Sequence, residues 1–191
     1  MRGAQPMRTF LIGGARSGKS SLATRWAAER SQAVCCVVTA TASDEEMAAR
    51  IRAHQQERPA NWRVREAPRQ LAAALREEGR TGNLLLVDCL TLWTANCLWP
   101  PPSADSATAL ETGEWQADLP GWHAERDQFI ESLRAATTEV IVVSNEVGTS
   151  LVPENAAARL FRDEQGRLNQ LVAAACDSVF LVTAGLALRL K

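Results

Sequence analysis

The stretch "GGARSGKS", residues 13–20, restricts what this chain can fold into more than any other. It follows the apolar run "TFLI" (9–12) and opens an amphipathic stretch, which is a strand-to-helix context. Gly13, Gly18, Lys19 and Ser20 fit the pattern G-x-x-x-x-G-K-S,. The spacing has a chemical reason. Glycines let the backbone N–H groups of Gly14, Ala15, Arg16, Ser17 and their neighbours turn inward around phosphate oxygens, and the helix N-terminus adds positive potential. Lys19 is placed to reach the outer phosphates, and the Ser20 hydroxyl to ligate Mg2+.

The rest of the chain repeats that strand-to-helix alternation. "TFLI" (9–12), "AVCCVVTA" (33–40), "NLLLVDCL" (83–90), "EVIVVSNEV" (139–147) and "DSVFLVTA" (177–184) read as strands. They are almost continuously apolar, as parallel strands covered on both faces are. Helical patterns lie between them at about 20–30, 44–57, 68–78, 122–136 and 155–176,. The expectation is an α/β fold in one domain over 1–191, a mostly parallel sheet with flanking helices,. The closing "LALRLK" is expected to form an edge hairpin with the strand before it. Ser43 and Glu46 make a capping box for the helix at 44, and Met47, Ile51 and His54 fall on one face of it. The Pro-, Ser- and Thr-rich segment 99–122 reads as a long loop,.

Charge and cysteine usage narrow the function classes. The net charge is −1, so no basic field points to nucleic acid or an anionic membrane,. The cysteines Cys35, Cys36, Cys89, Cys97 and Cys176 form no CxxC pair and read as small core residues of a reduced, cytoplasmic protein,. The N-terminus has no apolar core of a secretion signal. The apolar window 171–190 is interrupted by Asp177 and Ser178, and reads as a buried helix feeding a buried strand rather than a membrane span,.

A phosphate cradle needs an acid at a neighbouring strand end to hold Mg2+ or its water, and "LLLVD" supplies Asp88,. A second polar group follows "VIVVS": Asn145, Glu146, Glu154, Asn155, Arg159, Arg162, Asp163, Arg167 and Asn169 cluster around a strand end and helix starts. Ligands of open parallel sheets bind at such ends, although caps and ion pairs explain any one of these residues equally well. Of the two histidines, His123 reads as surface. His54, flanked by Arg50 and Arg58, is either a polar residue on the inner helix face or a nucleophile whose neutral imidazole attacks phosphorus,.

The order of "GGARSGKS", "EMAARIRAHQQERPANW", "VDCLTLWTAN" and "VSNEVGTSLVPENAAARLFRDEQGRLNQLVAAACDSVFLV" resembles the bifunctional adenosylcobinamide kinase / adenosylcobinamide-phosphate guanylyltransferase family of cobalamin biosynthesis. The resemblance implies a RecA-like P-loop fold and two reactions, with ATP and GTP as substrates. One phosphorylates adenosylcobinamide; the other moves GMP from GTP onto adenosylcobinamide phosphate through a guanylylated histidine, which maps onto His54. It also implies nucleotide contacts at Gly13 through Ser20, at Ala40, Thr41 and Ala42, at Arg58, Pro59, Ala60 and Asn61, and at Glu66 and Asp88. A homo-oligomer, commonly a trimer, is implied as well. Two readings compete with it: a small-molecule P-loop kinase without guanylyl transfer, and a non-catalytic nucleotide-gated module that meets a partner through 99–122.

Overall fold

A computed structural model describes residues 6–31, 33–41, 45–56, 58–79, 83–100 and 116–191; for Met47, Arg50, Ala53 and His54 it describes the backbone only. The elements run β1 (Arg8–Gly13), α1 (Lys19–Arg30), β2 (Val34–Val38), α2 (Glu45–Gln56), β3 (Arg63–Glu66), α3 (Leu71–Glu78), β4 (Leu84–Asp88) and α4 (Leu90–Leu98). They continue as α5 (Leu119–Ala135), β5 (Val140–Asn145), α6 (Ala156–Ala175), β6 (Ser178–Thr183) and β7 (Leu186–Arg189). The strands form one sheet in the order β3-β2-β4-β5-β1-β6-β7. All neighbours are parallel except β6 and β7, the expected terminal hairpin. The phosphate-loop strand β1 and the Asp88 strand β4 are separated by β5, in the expected mostly parallel α/β sheet with flanking helices.

Period-2 alternation divides the central strands between two apolar layers. Leu11, Leu84, Leu86, Ile141 and Val143 pack against Leu22, Ala23 and Ala27 of α1. Phe10, Ile12, Leu85, Val87, Val140 and Val142 face the opposite layer, which holds buried residues of α3, α4, α5 and α6. Burial on both faces explains the near-continuous apolar runs of these strands. Cys35, Cys36, Cys97 and Cys176 are buried thiols, and Cys89 is partly buried. Burial pushes Cys35 up to about 11, and Cys36, Cys97 and Cys176 to about 12. They are protonated packing residues at neutral pH, as the sequence suggested. Among the described residues no helix is long and apolar enough to cross a membrane. The apolar window 171–190 splits, as expected, into the end of α6 and the β6–β7 hairpin.

Three sequence expectations change. The chain at 63–66 adds an edge strand, β3, whose residues are all exposed; its charged R-V-R-E pattern gave no apolar signal. The run 83–90 stops at Asp88, because Leu90 opens α4. The segment 99–122 is not loop to its end: α5 starts at Leu119, capped by Asp118, whose carboxylate accepts from the Gly121 N–H at 2.9 Å,. Trp122 is fully buried there. Residues 101–115, including Trp115, lie outside the described part, as does Ser43 of the capping box.

Trp122 shows why that helix start is fixed. Its ring meets Trp93 edge to face at 5.0 Å, and Trp93 in turn meets Phe129,. The indole N–H of Trp93 donates to the Arg69 carbonyl at 2.8 Å, and that of Trp122 to Glu164 Oε2 at 2.8 Å. Glu164 is 3% exposed on α6 and also faces Arg126, Arg167 and His123. His123 is therefore not simply a surface residue: its Nε2 lies 3.3 Å from this carboxylate. Burial pushes the Glu164 carboxyl up, but hydrogen bonds from Trp122 and Arg167 and the charges of Arg167 and His123 outweigh it and leave the group below its ordinary value,.

Because the folded-state value is depressed, this carboxylate stabilises the fold fully above the unfolded glutamate value of about 4.3. That contribution is lost as pH falls through the depressed value. Glu164→Gln is expected to cost about 2 kcal/mol, about 4–8 °C in Tm. Thermal unfolding across pH checks this: the gap between the two proteins should be wide near neutrality and close below pH about 4. A gap independent of pH would show that the charge is not the stabilising element.

Candidate active site

The cradle sits at the carboxyl end of β1. Gly13 ends the strand, and a Cβ there would meet the Val182 carbonyl oxygen at 2.2 Å and Ser17 Oγ at 2.8 Å. Gly18 caps α1 with φ of 90° and lies against Gly185, 3.1 Å from the position a Cβ would take. Both positions exclude a side chain, one for space and one for backbone conformation. The β6–β7 turn buttresses the loop, since the Gly185 N–H donates to the Ser17 carbonyl at 2.9 Å. Lys19 is buried across the loop, and its ammonium donates to the Gly14 carbonyl at 3.1 Å. Burial draws Lys19 below the ordinary lysine value, opposed by the nearby Cys89 and Asp88.

Asp88 joins three segments. Its Oδ1 accepts from the Ser20 hydroxyl at 3.2 Å, and its Oδ2 lies 3.6 Å from Arg58 Nη2. Arg58 follows α2, which carries position 54 just over one helical turn earlier,. Behind this pair, Thr39 bridges β2 and β4: its hydroxyl donates to the Cys89 carbonyl at 2.6 Å. The Asn96 amide of α4 donates to the carbonyls of Thr39 and Pro68. The Ser20 hydroxyl and Asp88 carboxylate are hard oxygen donors of the kind Mg2+ takes alongside phosphates and water.

The fold brings Gly13, Gly14, Ala15, Arg16, Ser17, Gly18, Lys19, Ser20, Arg58 and Asp88 to one end of the sheet. Pro59 reaches the same region: it lines a hollow on α1 with Ser21, Thr24, Arg25 and Ala28, and a second with Gln55, Arg58, Ala60, Trp62 and Val64. Asn61 is an exposed residue of that bend. Ala40 and Thr41 follow β2, and Ala42 lies outside the described residues. Glu66 is the exposed end of β3, paired with Val38, at the sheet edge two strands from Asp88. For His54 the backbone places the residue in the last turns of α2.

Most of the second polar group is structural. Asn155 caps α6, its side chain accepting from Ala158 N–H at 3.0 Å. Arg159 binds the carbonyls of Pro153 and Glu154, Arg162 pairs with Asp163, and Arg167 with Glu164. Asn145, Glu146 and Asn169 instead border the cradle: the Glu146 N–H donates to the Gly13 carbonyl at 3.0 Å, and the Asn169 amide to the Asn145 carbonyl at 3.0 Å. Sequence reasoning gave no role to the supports Thr39 and Asn96: Asn96 lies within "VDCLTLWTAN", but nothing in that run says which carbonyls its amide meets.

Comparison with known proteins places this architecture. The sequence pattern of the family described as cobinamide kinase / cobinamide phosphate guanyltransferase matches residues 9–190. The chain belongs to this family. The cobinamide kinase / guanyltransferase relatives span nearly its whole length. A bifunctional adenosylcobalamin biosynthesis protein CobP from Pseudomonas aeruginosa is 43% identical over 185 residues, covering 97% of this chain and 98% of that protein. The proteins named CobU, of the same description, are 38% identical in Salmonella typhimurium and 36% in Escherichia coli, each covered in full by 97% of this chain. Among solved structures, a RadB recombinase is similar at a TM-score of 0.48 and 15% identity, over 93% of this chain and 74% of that one. Family membership places the chain in cobalamin biosynthesis as an enzyme, in agreement with the resemblance read from its motifs.

Lys19 is the cation of the cradle, so Lys19→Ala is expected to raise the Kd for Mg·ATP about tenfold or more. Calorimetric titration checks this. Unchanged affinity would remove Lys19 from the phosphate site.

Proposed function

We propose that the chain carries out both reactions of its family at this one sheet end. The observation that supports it best is the convergence of Lys19, Ser20, Arg58 and Asp88, with α2 delivering His54 just over a turn before Arg58. In the kinase step the phosphate loop and Lys19 hold the outer phosphates of ATP or GTP. The hydroxyl of adenosylcobinamide attacks the γ-phosphorus, a P–O bond forms, the bond to the β-phosphate oxygen breaks, and the nucleoside diphosphate leaves. Catalysis of such a step is positioning and charge stabilisation, which a rigid cradle supplies.

In the guanylyl step the neutral His54 imidazole attacks the α-phosphorus of GTP, a P–N bond forms and pyrophosphate leaves. A phosphate oxygen of adenosylcobinamide phosphate then displaces the imidazole, giving adenosylcobinamide-GDP and free His54. Ser20 and Asp88 would hold Mg2+, which supplies charge neutralisation of the phosphates when bound. Arg58, 3.6 Å from Asp88, adds positive charge at the same place. Ala40, Thr41, Ala42, Pro59, Ala60, Asn61 and Glu66 complete the nucleotide contacts in this reading. The net charge of −1 argues against nucleic acid as partner,. The buried, unpaired thiols suit a cytoplasmic setting,. A homo-oligomer, the trimer of the resemblance, completes the proposal.

The test is incorporation of label from α-labelled GTP. His54→Ala and His54→Asn are expected to abolish an acid-labile, base-stable adduct and GMP transfer while retaining most kinase activity. Labelling of the unaltered protein should fall at acid pH, because only the neutral ring attacks. A His54→Ala protein that still acquires label would place the nucleophile elsewhere. Loss of both activities in a folded variant would make His54 part of a shared pocket. A protein that phosphorylates but never labels would be the plain kinase of the rival reading.

A further inference from the structure

The chain that leaves β5 starts at the phosphate loop and ends in an apolar tip. Asn145 is in register with Gly13, and the next N–H, of Glu146, donates to the Gly13 carbonyl at 3.0 Å. The Glu146 carboxylate then turns the chain by accepting from the Gly148 N–H at 2.5 Å. Beyond that turn come Leu151, 93% exposed, and Val152, 65% exposed. Single apolar residues on a surface are ordinary; two adjacent ones held out together beside a ligand site are informative. The run "VGTSLVP", 147–153, carries no charge. Leu151 follows Asn145 by six residues, so it stands within about 20 Å of that strand end even were the chain fully extended,.

The approach to α6 keeps these side chains outward. Pro153 restricts the backbone directly after them,. Asn155 caps the helix, its side chain accepting from the Ala158 N–H at 3.0 Å,. Arg159 reaches back from the first turn, and its Nη1 donates to the Pro153 carbonyl at 2.9 Å and to the Glu154 carbonyl at 2.5 Å. Leu151 and Val152 are thus anchored on both sides, by Glu146 before them and by Arg159 after them. A surface held ready in this way loses less entropy when a ligand covers it.

The nucleotide does not account for this surface. Its phosphates call for backbone N–H groups, Lys19 and the Ser20–Asp88 pair, and 147–153 offers no cation. The acceptor of the proposed kinase step has the opposite chemistry. Adenosylcobinamide is a large macrocycle edged with methyl groups and neutral amides, has no anionic group, and carries its reacting hydroxyl on a short flexible arm. Apolar contact suits the bulk of such a molecule, leaving the arm to reach the phosphate. We infer that Leu151 and Val152 are the docking surface for the corrin macrocycle of adenosylcobinamide, from which its hydroxyl arm extends to the outer end of the cradle. The inference rests on the proposed kinase reading. Adenosylcobinamide phosphate differs only at the end of the arm, so the same surface serves the guanylyl step.

The experiment measures kinase KM and kcat for adenosylcobinamide at saturating Mg·ATP, its Kd by equilibrium dialysis, and the Kd for Mg·ATP. It compares the intact chain with Leu151→Met and with the double variant Leu151→Ala/Val152→Ala. The double variant is expected to raise KM and Kd for adenosylcobinamide about tenfold or more, with kcat and the Kd for Mg·ATP within about twofold. Leu151→Met, which keeps the apolar bulk, should stay near the unaltered protein. Side chains this exposed add little packing, so Tm should move by no more than about 2 °C. An unchanged KM in the double variant overturns the docking surface and leaves the kinase reading standing. Equal weakening of Mg·ATP, a large fall in Tm, or a smaller sedimenting species also overturns it, by making the tip part of the nucleotide pocket, the core or a contact between copies. An unaltered protein that neither binds nor phosphorylates adenosylcobinamide overturns the kinase reading and this inference with it.

Discussion

One negative charge, on Asp88, ties together parts of the chain that are distant in sequence. It accepts from Ser20 at the start of α1 and faces Arg58 beyond α2, while its own strand β4 is flanked by β2 and β5. A partly buried carboxylate is tolerable only when paired and hydrogen-bonded. The pairing therefore sets where α1 and the 58–62 bend lie relative to the sheet. Arg58 supplies positive charge where a magnesium nucleotide would otherwise bring it. The same interaction also reaches toward the helix that carries position 54.

A second constraint is packing behind the site. The cradle cannot relax outward at Gly13, where the Val182 carbonyl closes the space, nor at Gly18, where the β6–β7 turn closes it. Behind β5, polar side chains of α4 and α6 hold the strand end: Thr91 and Asn169 bond the Asn145 backbone, and Gln165 donates to the Ser144 hydroxyl. Charge and hydrogen bonding are concentrated at the carboxyl ends of the strands, and the apolar layers run beneath them on both faces. That division matches the general placement of ligand sites on parallel sheets.

Much of this was legible beforehand, for identifiable reasons. The five apolar runs became β1, β2, β4, β5 and β6, because burial on both faces leaves an unmistakable continuous pattern,. The exposed β3 left none, and α4, a short helix with little polar punctuation, went unassigned except for its first residue, Leu90, which was read as the end of a strand. In the 145–169 block, spacing alone does not sort ligands from caps and ion pairs. Arg159, Arg162 and Arg167 turned out to bind their own helix or its approach. Their partners lie within a few residues, but nothing in the spacing says so.

The chain by itself determined the phosphate loop, the acid at position 88, the alternation that makes a parallel sheet, and the motif order that marks the family. Those are local: periodicity, glycine conformational freedom and short-range spacing are written in consecutive residues. Tertiary structure alone decided that Arg58 meets Asp88, that the terminal turn braces Ser17 and Gly18, and that Asn145 ends β5 beside Gly13. Strand order fixes these neighbours, and strand order follows from how helices cover the two faces of the sheet. No window of sequence contains that information, because it is a property of layers packed together.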